Sequence, residues 1–496
     1  MKSKFIKNFS FLAISLFTIK LLGGLYRIPL ANFLDADGMG LYQMVFPLFS
    51  LFLTITSSAI PSAISKMTSD SRGDETQIAS VYKTARKYVF WGSLTASVAL
   101  ILLSAQFAKL QGNANAQIPY VLIAPSVFFV GYISLYRGIY QGKLNMRPTA
   151  ISQIIEQVVK IGFGLTFAYI LRKNTLYAAY GTVFAVTLSE LVTVLYIKIK
   201  AKDIKLKKIG EFDKNISKRL LALAVPMTIS FSLTPLITIV ESRLILSNAF
   251  SALGALSDFG LYQGCAITLV SVPIALISAL GVVLIPYLEN SKKDVFSISL
   301  RFALVILPIF ALGFFFFSDS VANTFFSKFD GVEKSTLAML IKFSSLTIIF
   351  QGLHVLTTST LYGMNRAKIP LVSLLVGGVL KIVTLLVALP KYGIIVAVFS
   401  DWVCYFVALC VNLIYIIVRR KIQLHKRLFV SLGILYALCA AELFVVSNLL
   451  VGFVGILIGG VCVLATTIVS LCLTYILSPN EKDEMLNILR KKTTES

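Results

Sequence analysis

A duplication constrains this chain more than any other feature. Gly40-Leu41-Tyr42-Gln43 recurs as Gly260-Leu261-Tyr262-Gln263, about 220 residues later. Further on, Tyr140 to Ile161 overlays Leu361 to Ile382 without a gap, setting Gly142 on Gly363, Arg147 on Lys368 and Lys160-Ile161 on Lys381-Ile382. Three matches at one offset make chance a poor explanation. Both copies are strongly apolar, in a chain that is 57% hydrophobic. A hydrophobic chain built of two similar bundles is the ground plan of many secondary transporters, whose substrate path runs at the junction of the halves.

Apolar runs of the length that marks membrane helices recur along the whole chain. At roughly 20 residues per span they predict an all-α polytopic membrane protein with about fourteen transmembrane helices. The expected division is an N-terminal six-helix lobe over 1–200, a basic linker over 201–218, a second six-helix lobe over 219–420, and two extra helices with a tail over 421–496. The opening MKSKFIK and its apolar run read as an uncleaved first helix, because no small-x-small site ends the run.

The formal net charge of +23 does not point to nucleic acid. With a cytoplasmic N-terminus, roughly two-thirds of the 46 Lys and Arg fall in inner loops and termini. That asymmetry predicts both termini in the cytoplasm of a plasma-membrane protein. The densest segment, Lys198 to Arg219, reads as an orientation signal and linker, with contact to anionic lipid heads as the alternative.

Enzyme signals are absent from the sequence: no long loop, no Walker A motif and no metal-ligand cluster. The six cysteines have no C-x-x-C spacing and read as packing residues. No cofactor or metal is expected.

Chemistry must then reside in charges placed where lipid should be. A charge near the bilayer centre costs about 2.5–3.5 kcal/mol, and chains keep one that faces a wet cavity or a partner. Lys20 and Arg27 stand seven residues apart on one face of the first helix, with Gly23, Gly24 and Pro29 expected to let it bend. Glu241 and Arg243 lie in the seventh predicted helix, and one reading pairs Glu241 with Lys20 or Arg27 across the junction. Lys160 and Lys381 are repeat mates. Glu156 precedes Lys160 by one turn, a favourable pairing distance, whereas Gly377 stands at that place before Lys381. Glu190 and Asp401 close the matching segments AVTLSE and AVFSD, suited to carry a proton or cation or to neutralise the lysines. The alternative for each of these charges is a structural ion pair or snorkelling to a headgroup. The last two predicted helices, outside the duplication, are either lipid-facing or a groove for a hydrocarbon tail.

Two lobes, two extra helices, the stretch KLLGGLYRIPLANFLDADGMGLYQM and the repeated GLYQ resemble the multidrug/oligosaccharidyl-lipid/polysaccharide exporter superfamily, and within it the stage V sporulation protein B-like polysaccharide flippases, related to lipid II flippases. The resemblance covers essentially the whole chain. It implies a transporter, not an enzyme, that moves polyprenyl-diphosphate-linked oligosaccharide between leaflets by alternating access. It implies Lys20, Arg27 and Arg243 as diphosphate ligands, with Glu241, Glu190, Asp401, Lys160 and Lys381 left to ion coupling or charge pairing. Membrane lipids and envelope-synthesis proteins are the expected partners of a chain working as a monomer. Met39 to Ser65 lacks the second-helix cations of lipid II flippases, and Phe9 to Asn32 lacks the first-helix acid of many drug exporters. The rival functions are a cation-coupled multidrug exporter and a scaffold for envelope enzymes.

Overall fold

A computed structural model describes residues 2–58, 60–71, 74–201, 211–247, 253–290, 295–364, 366–420 and 426–473, with side chains except at 2–17, 20, 58, 282–290, 295, 420, 426–427 and 471–473. Among the described residues there is no strand. The first half of the chain runs α1 (Lys2–Leu53), a π-helical turn (Thr54–Ser58), α2 (Ile60–Asp70), α3 (Glu75–Leu102), α4 (Ser104–Gln111), α5 (Gln117–Gly142), α6 (Arg147–Leu171) and α7 (Thr175–Lys200). The second runs α8 (Lys214–Leu246), α9 (Ala255–Phe259), a π-helical segment (Gly260–Ala266), α10 (Ile267–Asn290), α11 (Val295–Phe316), α12 (Ser318–Phe325), α13 (Gly331–Gly363), α14 (Lys368–Tyr392) and α15 (Ile395–Arg420). Two further helices follow, α16 (Lys426–Leu449) and α17 (Gly452–Leu473).

Among the described residues, twelve helical stretches are long and apolar enough to cross a membrane, or thirteen if the bent pair α3 and α4, inclined by 65°, is one span, against the fourteen expected. The first stretch covers the 50 residues Leu21–Asp70. At 1.5 Å per residue that length reaches about 75 Å, more than twice the ~30 Å hydrocarbon core. It is divided at Asp35, whose backbone turns to φ 54°, ψ −172°. A non-glycine residue rarely adopts that conformation. Its side chain supports the break from both sides, Oδ1 accepting from Gly38 N at 3.1 Å and Oδ2 from Thr175 Oγ1 at 2.7 Å. The carboxylate thus starts the returning helix as an N-cap residue does.

The expectation that Gly23, Gly24 and Pro29 interrupt the first helix is corrected: α1 is helical through all three. The glycines serve close approach instead. A methyl group at Gly24 would lie 2.5 Å from Val272 Cγ2 of α10, and one at Gly23 would lie 3.1 Å from Gln157 Nε2 of α6. Small residues let membrane helices pack at short range, and here they let α6 and α10 close on α1 from two sides.

The two GLYQ motifs meet. A methyl group at Gly40 would sit 2.1 Å from the Leu256 carbonyl oxygen, and one at Gly260 would sit 2.1 Å from the Ala36 carbonyl oxygen and 2.6 Å from Gly40 N. The halves therefore cross backbone against backbone at this point. Around it, Ser257 Oγ donates to Asp37 Oδ1 at 2.6 Å, Asn32 Nδ2 donates to the Phe325 carbonyl at 2.7 Å, and Lys328 N donates to Asn32 Oδ1 at 3.1 Å. The halves are closed on each other at the end of the bundle that carries Asp35.

Candidate functional site: a cationic cavity and a neutralised lysine

Below the glycine crossing lies a cavity of about 260 Å³, lined by Gly23, Gly24, Tyr26, Arg27, Tyr42, Gln157, Lys160, Thr268 and Ser271. Four structural elements supply it. The outgoing arm of α1 gives Arg27, the returning arm gives Tyr42, α6 gives Gln157 and Lys160, and α10 of the second half gives the two hydroxyls. No carboxylate lines it.

Arg27 is held on one side only. Its Nη1 donates to Gln43 Oε1 at 2.6 Å and to the Gly264 carbonyl at 3.5 Å, and its Cζ lies 5.6 Å from the centre of the Tyr42 ring. None of these partners cancels its charge. Lys160 has no ion pair or hydrogen bond among the described residues, because Glu156, expected to pair with it, binds Arg137 Nη2 at 3.0 Å instead. Arg137 Nε also donates to Ser152 Oγ at 2.9 Å. Glu190 lies buried beside Glu156, Arg137 and Lys160, and its Oε2 has no hydrogen-bond partner among the described residues. Two further atoms of the cavity residues, Tyr26 Oη and Gln157 Nε2, are buried donors in the same position.

A buried donor without an acceptor costs about 1–3 kcal/mol. Two such donors, an unpaired ammonium and a guanidinium with free N–H groups converge on one small space. The set matches an oxyanion, which a guanidinium grips with a fork of donors and an ammonium as a point charge.

The second half reverses this arrangement. Lys381 Nζ lies 2.7 Å from Glu241 Oε1 and 2.7 Å from Asp401 Oδ1, joining α14 to α8 and α15. Tyr262 Oη bridges the same acids, 3.0 Å from Glu241 Oε1 and 2.5 Å from Asp401 Oδ2. Gln263 Nε2 donates to Glu241 Oε2 at 3.5 Å. All four of Glu241, Lys381, Asp401 and Tyr262 are buried. Glu241 is thus paired with Lys381, and Arg27 with other partners. Gly377 opens the space for it: a methyl group there would lie 2.4 Å from the Cys404 carbonyl oxygen, so α14 and α15 pack tightly beside Lys381.

Of the residues singled out as diphosphate ligands, Arg27 lines the cavity. Arg243 does not: it is exposed in the last turn of α8, with Nη1 against Gly112. The side chain of Lys20 lies outside the described residues. Sequence reasoning missed Tyr26, Gln157, Thr268 and Ser271. A Gln one turn before Lys160 and a Tyr beside Arg27 were visible signals, but their convergence needed the packing of α6 and α10 on α1.

A family model described as "Polysaccharide biosynthesis protein" matches residues 5–292. Stage V sporulation protein B of Bacillus subtilis (strain 168) is 27% identical over 430 residues, covering 79% of this chain and 80% of its own length. Lipid II flippase MurJ of the same organism is 25% identical over 423 residues, covering 77% of each. Among solved structures, one of lipid II flippase MurJ in an inward closed conformation superposes with a TM-score of 0.70 at 16% identity, over 92% of this chain and 97% of that one.

Proposed function

The chain belongs to the polysaccharide biosynthesis protein family, within the multidrug/oligosaccharidyl-lipid/polysaccharide superfamily, and on that premise we propose that it flips a polyprenyl-diphosphate-linked oligosaccharide, an envelope or spore-wall precursor, from the inner to the outer leaflet. The observation that carries the reading is the Arg27–Lys160 cavity, cationic and free of carboxylates on its lining. A diphosphate is the anion of such a substrate. Arg27, Lys160, Tyr26 and Gln157 supply its donors. Thr268 and Ser271 reach the substrate from the second half, so that relative movement of the halves alters the site. The positive-inside asymmetry supports a plasma-membrane location with both termini in the cytoplasm.

The multidrug-exporter reading fares less well on the same geometry. A cationic drug needs an acid in the cavity, and no carboxylate lines it; Glu241 and Asp401 are engaged with Lys381, and Glu156 with Arg137.

The deciding measurement is leaflet translocation of a labelled polyprenyl-diphosphate sugar in proteoliposomes, wild type against Arg27→Ala. Transport by the wild type that is lost in the folded variant supports the reading. Equal transport by both removes the anion site from α1, and no transport by folded wild type removes this substrate class.

A further inference from the structure

A second cavity lies in the other half of the molecule, shares no lining residue with the first, and has a different character. It measures about 510 Å³ and sits between α11, α13, α15 and α16. Leu304, Pro308 and Phe315 form one wall, with Lys342, Trp402 and Tyr436 opposite. Its surface is almost wholly carbon, with two polar exceptions that lack partners.

Lys342 is the first. Its ammonium stands 5.1 Å from the centre of the Phe315 ring and has no ion pair or hydrogen bond among the described residues. Trp402 Nε1 is the second, buried without an acceptor. The other polar side chains of the cavity are satisfied internally: Tyr436 Oη donates to the Leu304 carbonyl, and Ser345 Oγ donates to the Lys342 carbonyl at 2.6 Å. What remains is one positive charge and one N–H donor, with no acceptor to meet them. Unpaired ammonium groups within membranes are rare and mark a partner or a wet path. A carbon-walled groove is a poor place for water.

The two polar groups also define a direction. Phe315 is in the last turn of α11, and Lys342 lies about three turns into α13 from the end that carries Asp35. Leu304 and Tyr436 lie deeper, toward the middle of α11 and α16. The cation therefore marks the end nearer the membrane surface, and the apolar walls continue inward.

We propose that this groove is a specific site for an anionic phospholipid of the leaflet on the Asp35 side, its phosphate taken by Lys342 and Trp402 and one acyl chain lying along Leu304, Pro308 and Tyr436. A phosphate accepts from both donors and cancels the charge. An acyl chain fills walls that offer it nothing polar. The site depends on α16, a helix outside the duplicated region, so the first half has no copy of it. One of the two added helices is thereby assigned a role: it completes a lipid site on the second half.

The test uses the full-length protein purified in detergent, with dioleoyl-phosphatidylglycerol and dioleoyl-phosphatidylcholine as probes, bound lipid being counted by native mass spectrometry. Wild type is expected to retain phosphatidylglycerol at about tenfold lower concentration than phosphatidylcholine, because the phosphate of the latter is already offset by its own choline ammonium and brings no net charge to Lys342. Lys342→Gln should abolish the preference, Lys342→Arg should keep it, and Trp402→Phe should reduce it. Ala311→Phe, which fills the groove, should weaken retention of both lipids. Equal retention of the two lipids by wild type means ordinary annular lipid and overturns the proposal, as does an unchanged preference in folded Lys342→Gln. Should Lys342→Gln fail to fold, Trp402→Phe and Ala311→Phe decide: unchanged retention in both overturns it.

Discussion

Gln43 accepts a hydrogen bond from the guanidinium of Arg27, whereas its repeat mate Gln263 donates one to the carboxylate of Glu241. A primary amide carries both donors and acceptors, so one motif serves a cation in one half and an anion in the other. The preceding tyrosines follow suit, Tyr42 facing Arg27 through its ring and Tyr262 binding Glu241 through its hydroxyl. Gln43→Glu would put a carboxylate 2.6 Å from Arg27. That internal anion competes with a diphosphate, and translocation is expected to fall about tenfold or more while protein abundance stays normal; the proteoliposome assay reads this directly.

Arg27→Lys preserves the charge but loses the fork of donors. Charge-assisted contacts contribute about 1.5–3 kcal/mol, so substrate affinity should drop roughly 10- to 100-fold, with Lys160→Met falling at the lower end. Arg243→Gln, remote from the cavity, should transport near the wild-type rate. Concentration dependence of translocation separates the three, and a strong defect in Arg243→Gln alone would move the anion site to α8.

Lys381→Met leaves Glu241 and Asp401 buried together without their counter-charge. Removing one partner of a buried ion pair costs about 3–5 kcal/mol, visible as a large drop in thermal unfolding temperature or as loss of folded protein. Adding Glu241→Gln and Asp401→Asn should recover much of the loss, because a buried pair replaced whole is often close to neutral. A single variant as stable as wild type would show that the cluster does not hold α8, α14 and α15 together.

Asp37 and Ser257 touch across the halves, 2.6 Å between Oδ1 and Oγ. The double variant Asp37→Cys, Ser257→Cys should crosslink under mild oxidant, and the bond should stop translocation until a reductant restores it. Crosslinking without inhibition would mean that this end of the bundle does not open during transport.

Much of this arrangement can be read from the sequence. The duplication, the helical membrane class and Arg27 follow from periodicity, apolar length and charge placed in an apolar run. That Asp401 neutralises Lys381 is one of the alternatives the sequence leaves open for that acid, beside carrying a proton or cation. The misreadings share one physical origin. Glu156 lies one turn from Lys160 and was the natural partner by spacing, yet Arg137 on α5 reaches it first; helix neighbours in sequence compete with neighbours in space. Gly23 and Gly24 look like breaks because glycine lowers helix propensity, whereas in a packed bundle the missing side chain matters more as clearance. Arg243 lies two residues from Glu241 and therefore points away from it around the helix. Lys342 carries the same signal as Arg27, a charge in an apolar run, but that it and Trp402 are unpaired is not legible, since an unpaired group is defined by what fails to approach it.

Gly40 and Gly260 hold equivalent places in the two copies, and each lies against the other. In a symmetric dimer the residues on the two-fold axis meet their own copies, the mark of an isologous interface. The crossing therefore has, within one chain, the form of the contact that two identical subunits make at a two-fold axis. Such a contact ties the two copies together: neither glycine can take a side chain, whereas repeat mates elsewhere, such as Glu156 and Gly377, differ in size and charge.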